Sequence, residues 1–96
     1  MPSYDFEAAD WLSRQLMTLE EKAKGLKQFR DRQHKIFLGS EHSDNWTGPK
    51  RHKFEGDFND GQKALAQLAA IAQQAKKAVD AATANAHVAA QEKRHH

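Results

Sequence analysis

Cysteine is absent from this 96-residue chain, which excludes a disulfide framework and any thiolate metal site. Proline occurs twice, as Pro2 and Pro49, so no proline interrupts helical sequence from Ser3 to Leu38 or beyond residue 49. Neither sign of charge dominates. Fifteen Lys and Arg against thirteen Asp and Glu leave a net +2, too small to call for a nucleic-acid partner. No apolar run approaches the roughly 18 residues that a membrane span requires. The opening Met1-Pro2-Ser3-Tyr4-Asp5-Phe6-Glu7 has neither the basic nor the apolar stretch of a secretory signal peptide. These absences leave the expectation of one soluble domain, synthesised in the cytoplasm and leaving it, if at all, without an ordinary signal peptide.

Two long periodic segments are present. In the first, Phe6, Ala9, Leu12, Leu16, Leu19, Ala23, Leu26 and Phe29 recur at steps of three and four, which lays an apolar stripe along a helix. The stripe falters at Arg30 and Gln33 and resumes at Ile36 and Phe37. Gly39-Ser40 then gives a stop, so the first helix is expected over about residues 5–38. The second segment holds Phe54, Phe58, Gly61, Leu65, Leu68, Ala72, Ala75, Val79, Ala82, Ala86 and Ala89 at alternating steps of four and three. That is a heptad seam of the kind that packs as a coiled coil. It predicts a helix over about 49–90, starting at Pro49, where a missing N–H costs nothing. Residues 91–96 are polar and are expected to fray.

Between the segments, residues 39–48 read Gly-Ser-Glu-His-Ser-Asp-Asn-Trp-Thr-Gly, a cluster of turn-forming residues. So short a connection favours an antiparallel return. The fold class expected is all-α, a helix–turn–helix hairpin in one domain over 1–96. With the turn centred near residue 45, facing residues should have numbers that add to about 90. Leu12 then faces Val79, Leu16 faces Ala75, Leu19 faces Ala72 and Phe29 faces Gly61, large opposite small as interdigitating layers require. Ala64, Ile71, Ala78 and Ala81, with Tyr4 and Trp11 on the first helix, widen the apolar surface beyond one seam. Pairing with a second hairpin into a four-helix bundle would cover it.

Trp46-Thr47-Gly48 in the turn, followed by Phe54 and Phe58 on the next helix, resembles the W-x-G family of small type VII (ESX-type) secretion substrates and their accessory partners. The likeness extends to length, lack of cysteine and the helix–turn–helix plan, and so covers nearly the whole chain. It implies a hairpin that dimerises head-to-tail into a four-helix bundle, with Trp46 and Gly48 packed at the turn. It also implies export by a secretion ATPase, often alongside the helical N-terminal region of a larger effector or toxin. The family's C-terminal Tyr-x-x-x-Asp/Glu export signal has no counterpart: the one tyrosine is Tyr4, and the position four residues after His87 is Gln91. This departure favours the role of an accessory partner over that of a signal carrier.

Other constellations are weaker. Six histidines are present, but none stands in a His-x-x-x-His or His-Glu-x-x-His spacing that would put two ligands on one helical face. His34, His42 and His52 merely flank the turn. No metal and no cofactor is expected. Glycine-rich phosphate loops are lacking, and Asp57 with Asp60 makes a surface pair without a pocket, so no catalysis is expected. Lys50, Arg51 and Lys53 form a basic patch in the first turn of the second helix, against the helix dipole. That patch supports the alternative of a basic helical adaptor for nucleic acid or an acidic protein, although Glu55, Asp57 and Asp60 lie close to it.

Overall fold

The computed structural model describes residues 3–38 and 49–94. It consists of two antiparallel α-helices, α1 over Phe6–Leu38 and α2 over Pro49–Arg94, in a body of 76 × 19 × 15 Å. The expected turn, with Trp46 and Gly48, lies outside the described residues.

Local chemistry sets the helix ends. Asp5 caps α1: its Oδ1 accepts the backbone N–H of Ala8 at 2.9 Å, and its carbonyl accepts that of Ala9 at 3.0 Å. This is the satisfaction of free N–H groups that a cap supplies. Glu7 in the first turn and Lys35 in the last suit the dipole of α1. Pro49 begins α2, which has no acid in its first turn. α2 runs unbroken through Gly56 and Gly61 and continues to Arg94, past the boundary near residue 90. Gln91, Glu92, Lys93 and Arg94 are all good helix formers and nothing among them stops the helix.

Pairs across the hairpin have residue numbers adding to between 87 and 93, from Tyr4–Thr83 and Ser13–Asp80 at the open end to His34–Glu55 and Phe37–Phe54 near the turn. The register is therefore centred on 90. Which residues fill the seam differs from the expected stripes. On α1 the partly or fully covered positions are Phe6, Ala9, Ser13, Leu16, Glu20, Ala23, Lys27, Arg30 and His34; on α2 they include Glu55, Phe58, Gln62, Leu65, Ala69, Ala72, Lys76, Val79, Thr83 and Ala86. Both sets keep steps of three and four. On α1 half of the expected stripe is covered, and Leu12, Leu19, Leu26 and Phe29 each give way to the next residue; on α2 eight of the eleven expected residues are at least partly covered, and Leu68, Ala82 and Ala89 are exposed.

Arg30 illustrates the displacement. Phe29, expected opposite Gly61, remains half-exposed. The guanidinium of Arg30 lies instead over the bare Cα of Gly61, where an added Cβ would collide with its Nη1, and 5.4 Å from the centre of the Phe58 ring. A cation over an aromatic face is favourable there. At Gly25, by contrast, an added Cβ would meet nothing within 4 Å. Gly25→Ala should therefore stabilise the hairpin by about 0.5–1 kcal/mol, read as a rise in the thermal unfolding midpoint. A fall would mean that the backbone at this position is not plain helix.

Candidate interaction surface

The seam buries little. Among the described residues its buried hydrophobic members are all alanines, Ala23, Ala69 and Ala72, and no large side chain is fully buried. Polar seam residues satisfy one another. Gln62, 8% exposed, donates through Nε2 to the Lys27 carbonyl at 2.9 Å and to Asp31 Oδ1 at 3.1 Å. Its Oε1 is buried with no partner among the described residues, a state that costs free energy. Nearer the turn, His34 Nε2 lies 3.0–3.1 Å from both carboxylate oxygens of Glu55. The His34 ring stacks on Phe58 with centroids 4.0 Å apart. At the open end the Thr83 hydroxyl donates to the Val79 carbonyl, which leaves the Tyr4 O–H to donate to Thr83 Oγ1 at 2.7 Å.

Seven of the exposed large apolar residues lie to one side of this seam; Trp11, Met17, Phe37 and Val88 are exposed as well. Leu12, Leu19 and Leu26 are spaced by seven on α1, each one residue before a seam position, and Phe29 and Ile36 are spaced by seven beyond them. Leu68 and Ile71 hold the equivalent places on α2, among Ala64, Ala75, Ala78 and Ala82. All seven large side chains are exposed, Ile71 by 62%. In an antiparallel pair, positions just before the seam on one helix flank the same side as those on the other. Two grooves confirm that sidedness: one joins Ala8 and Leu12 to Ala78 and Ala82 at the open end, the other joins Phe29 and Ile36 to Phe54 near the turn. The result is one apolar face running nearly the length of the hairpin.

The opposite side is polar. Asp10, Arg14, Lys24 and Asp31 on α1 and Asn59, Lys63 and Lys77 on α2 are exposed along it, interrupted by Met17. Lysine and arginine there pair within their own helices, as Arg14–Asp10 and as Lys24–Glu20 at 3.0 Å. Asp80 also joins the helices. It accepts Lys76 Nζ and the Ser13 hydroxyl, each at 2.7 Å. The hydrogen bond from Lys76, then that from Ser13, hold its carboxyl below the ordinary 3.8, aided by the charge of Lys76 and opposed by slight desolvation. A depressed folded-state value means that the ionised form contributes stability above pH 3.8, and that this contribution is lost as pH falls through the lower folded value. Asp80→Asn should therefore unfold at a lower temperature than the parent at neutral pH. The two melting curves should converge in acid below pH 3.8; a gap that persists there would refute the linkage.

The residues named from sequence are distributed as follows. Leu16, Leu65, Ala72 and Val79 lie in the seam, with Phe58; Phe54, Gly61 and Ala75 lie half-covered at its margin. Leu12, Leu19, Leu26, Phe29 and Leu68 lie on the apolar face. Tyr4 and Trp11 do not form one line: Tyr4 turns in to Thr83, while Trp11 stands 63% exposed on the outward side of α1. Lys50, Arg51 and Lys53 are exposed and in no ion pair with another described residue. Of the three histidines near the turn, His34 pairs with Glu55, His52 is exposed and His42 lies outside the described residues. No three metal-ligating side chains gather among the described residues, and no described helix is long and apolar enough to cross a membrane.

These features define a class: an amphipathic helical hairpin with one apolar and one polar side. Comparison with protein-family models, with curated proteins and with solved structures gives no match to this chain.

Proposed function

We propose that this protein is a small helical partner in type VII secretion, which pairs with a second helical hairpin and accompanies or targets a larger secreted effector, without catalysis of its own. The observation that carries this reading is the unpartnered apolar face, seven large exposed side chains on one side of a hairpin. Apolar surface so contiguous marks an interface in a protein of this size. The Trp46-Thr47-Gly48 motif and its resemblance to the W-x-G family direct the reading toward secretion. On this reading the chain is made in the cytoplasm and leaves it through a secretion ATPase.

The exposed basic patch Lys50, Arg51 and Lys53 favours a second reading, an adaptor for nucleic acid or an acidic protein. Salt separates the two. Binding through phosphate contacts falls steeply between 50 and 200 mM salt, whereas pairing of apolar faces does not. The deciding experiment expresses the chain in cells carrying a type VII machine, with the secretion ATPase intact or inactivated. The protein should appear in the medium only with the active ATPase. Retention in the cells together with salt-sensitive binding to duplex DNA would overturn the secretion reading in favour of the adaptor.

A further inference from the structure

We infer that the helix covering the turn end of the apolar face carries a carboxylate within its own apolar stripe, held by Arg30, and that it belongs to a different protein. This rests on the proposed pairing function and names the chemistry of the partner.

Arg30 stands where the apolar face meets the seam. With Phe29, Gln33, Ile36 and Phe54 it lines the groove near the turn. Its guanidinium is held between the Phe58 ring, 5.4 Å from the centroid, and the bare backbone of Gly61. It forms no ion pair with another described residue. In the free hairpin Arg30 is only partly covered, so solvent still reaches the charge. A partner laid over the groove removes that solvent. A guanidinium stripped of water and left without an anion opposes the association more strongly than the apolar contacts around it favour it. Arg30 does not withdraw cheaply, because it fills the space that a side chain at Gly61 would take and covers one face of Phe58. A carboxylate from the partner satisfies it, since guanidinium and carboxylate match in charge and in hydrogen-bond geometry.

The surrounding charge agrees. Over residues 27–38 and 49–61 the chain carries seven lysines and arginines against four acids. Two of those acids are already engaged, Asp31 by Gln62 Nε2 and Glu55 by His34. Asp57, one turn before Gly61, makes no ion pair with Arg30. The turn end therefore presents a positive field to an approaching helix. The acid comes from another protein, because the apolar face of this chain has none to give. From Leu12 to Ile36 on α1 and from Gly61 to Ala89 on α2, every residue on that face is apolar, neutral or basic. The partner's stripe is thus apolar opposite Leu19 and Leu26 and acidic one turn further on, opposite Arg30.

The test uses the full chain and a synthetic helical peptide of three heptads, capped at both ends. The peptide has leucine and alanine on one face, glutamine on the other, and a single glutamate in the middle of the apolar face; its twin has glutamine in place of that glutamate. In calorimetric titrations at neutral pH the glutamate peptide should bind about tenfold or more tightly than the twin, as expected when one member of a desolvated charge pair is removed. Arg30→Met should abolish the preference with the helical circular dichroism retained, and Arg30→Gln serves the same comparison should Arg30→Met fail to fold. Equal binding of the two peptides, or a preference that survives in the variant, would overturn the inference and leave pairing through the apolar face intact. A chain that light scattering finds at twice 10.9 kDa without peptide would overturn it as well, by giving the groove a second copy as its occupant. A chain that stays at 10.9 kDa and binds neither peptide up to about 1 mM would overturn the pairing reading with it.

Discussion

Ala72→Leu is expected to destabilise the hairpin by about 1–3 kcal/mol, the usual cost of forcing extra methylenes into a filled site. Ala72 is 1% exposed, the most completely buried hydrophobic residue described. It lies in the seam one heptad from Leu65 and Val79, opposite the level of Leu19 and Glu20. A leucine there can be housed only by spreading α1 from α2, which would also loosen the hydrogen bonds of Ser13 with Asp80 and of Gln62 with the Lys27 carbonyl. For a domain of this length each 1 kcal/mol moves the unfolding midpoint by about 4–8 °C. Ala70→Leu is the control, because Ala70 is exposed on the polar side and should change stability by no more than about 0.5 kcal/mol. Thermal melts at one fixed protein concentration keep any effect of association constant. Equal midpoints for the two variants would refute the seam assignment.

The hairpin and its register were legible because they depend on coarse features. Steps of three and four without proline specify two helices, and one cluster of turn residues specifies where the chain reverses. What was not legible is which direction each helix points its apolar arc. On α1 that arc extends from Leu16 and Ala23, which are covered, to Leu12, Leu19 and Leu26, which stay exposed. A periodicity reading finds the centre of the arc and assigns it to the one neighbour it knows, the other helix. Here the centre falls between two directions, toward α2 and toward the open face, and the seam takes only the near half. The far half of the seam is polar, Ser13, Lys27, Arg30 and His34 on α1 with Glu55, Gln62 and Thr83 on α2. Such residues are invisible to a hydrophobic stripe, yet Ser13 finds Asp80, Gln62 finds the Lys27 carbonyl and His34 finds Glu55. One signal was available: the apolar arc of each helix is too wide for a two-helix seam, so part of it has to stay outside the seam.

On the secretion reading proposed above, pairing through the apolar face and a C-terminal signal are separate determinants of export, and opposite outcomes are expected when each is altered. Leu26→Asp places a charge in the middle of the apolar face. Leu26 is half-exposed in the hairpin, so its own stability should change by no more than about 0.5 kcal/mol. In a complex the carboxylate would be desolvated without a partner, which costs several kcal/mol and should abolish pairing. Machines that export helical hairpins as folded pairs, as the resemblance to the W-x-G family implies, would then fail to export this chain. Removal of residues 91–96 should act differently. Four residues after His87 stands Gln91, not an acid, and Glu92, five residues on, lies about 140° around the axis from His87, away from the same helical face. No aromatic–acid signal is spelled there, so on the proposed reading the shortened chain should still reach the medium, carried by a partner's signal. Immunoblots of medium and cells, with circular dichroism of each purified variant to confirm that it folds, read both results. Export that survives Leu26→Asp and is lost with the last six residues would make this chain the signal carrier and its apolar face irrelevant to secretion.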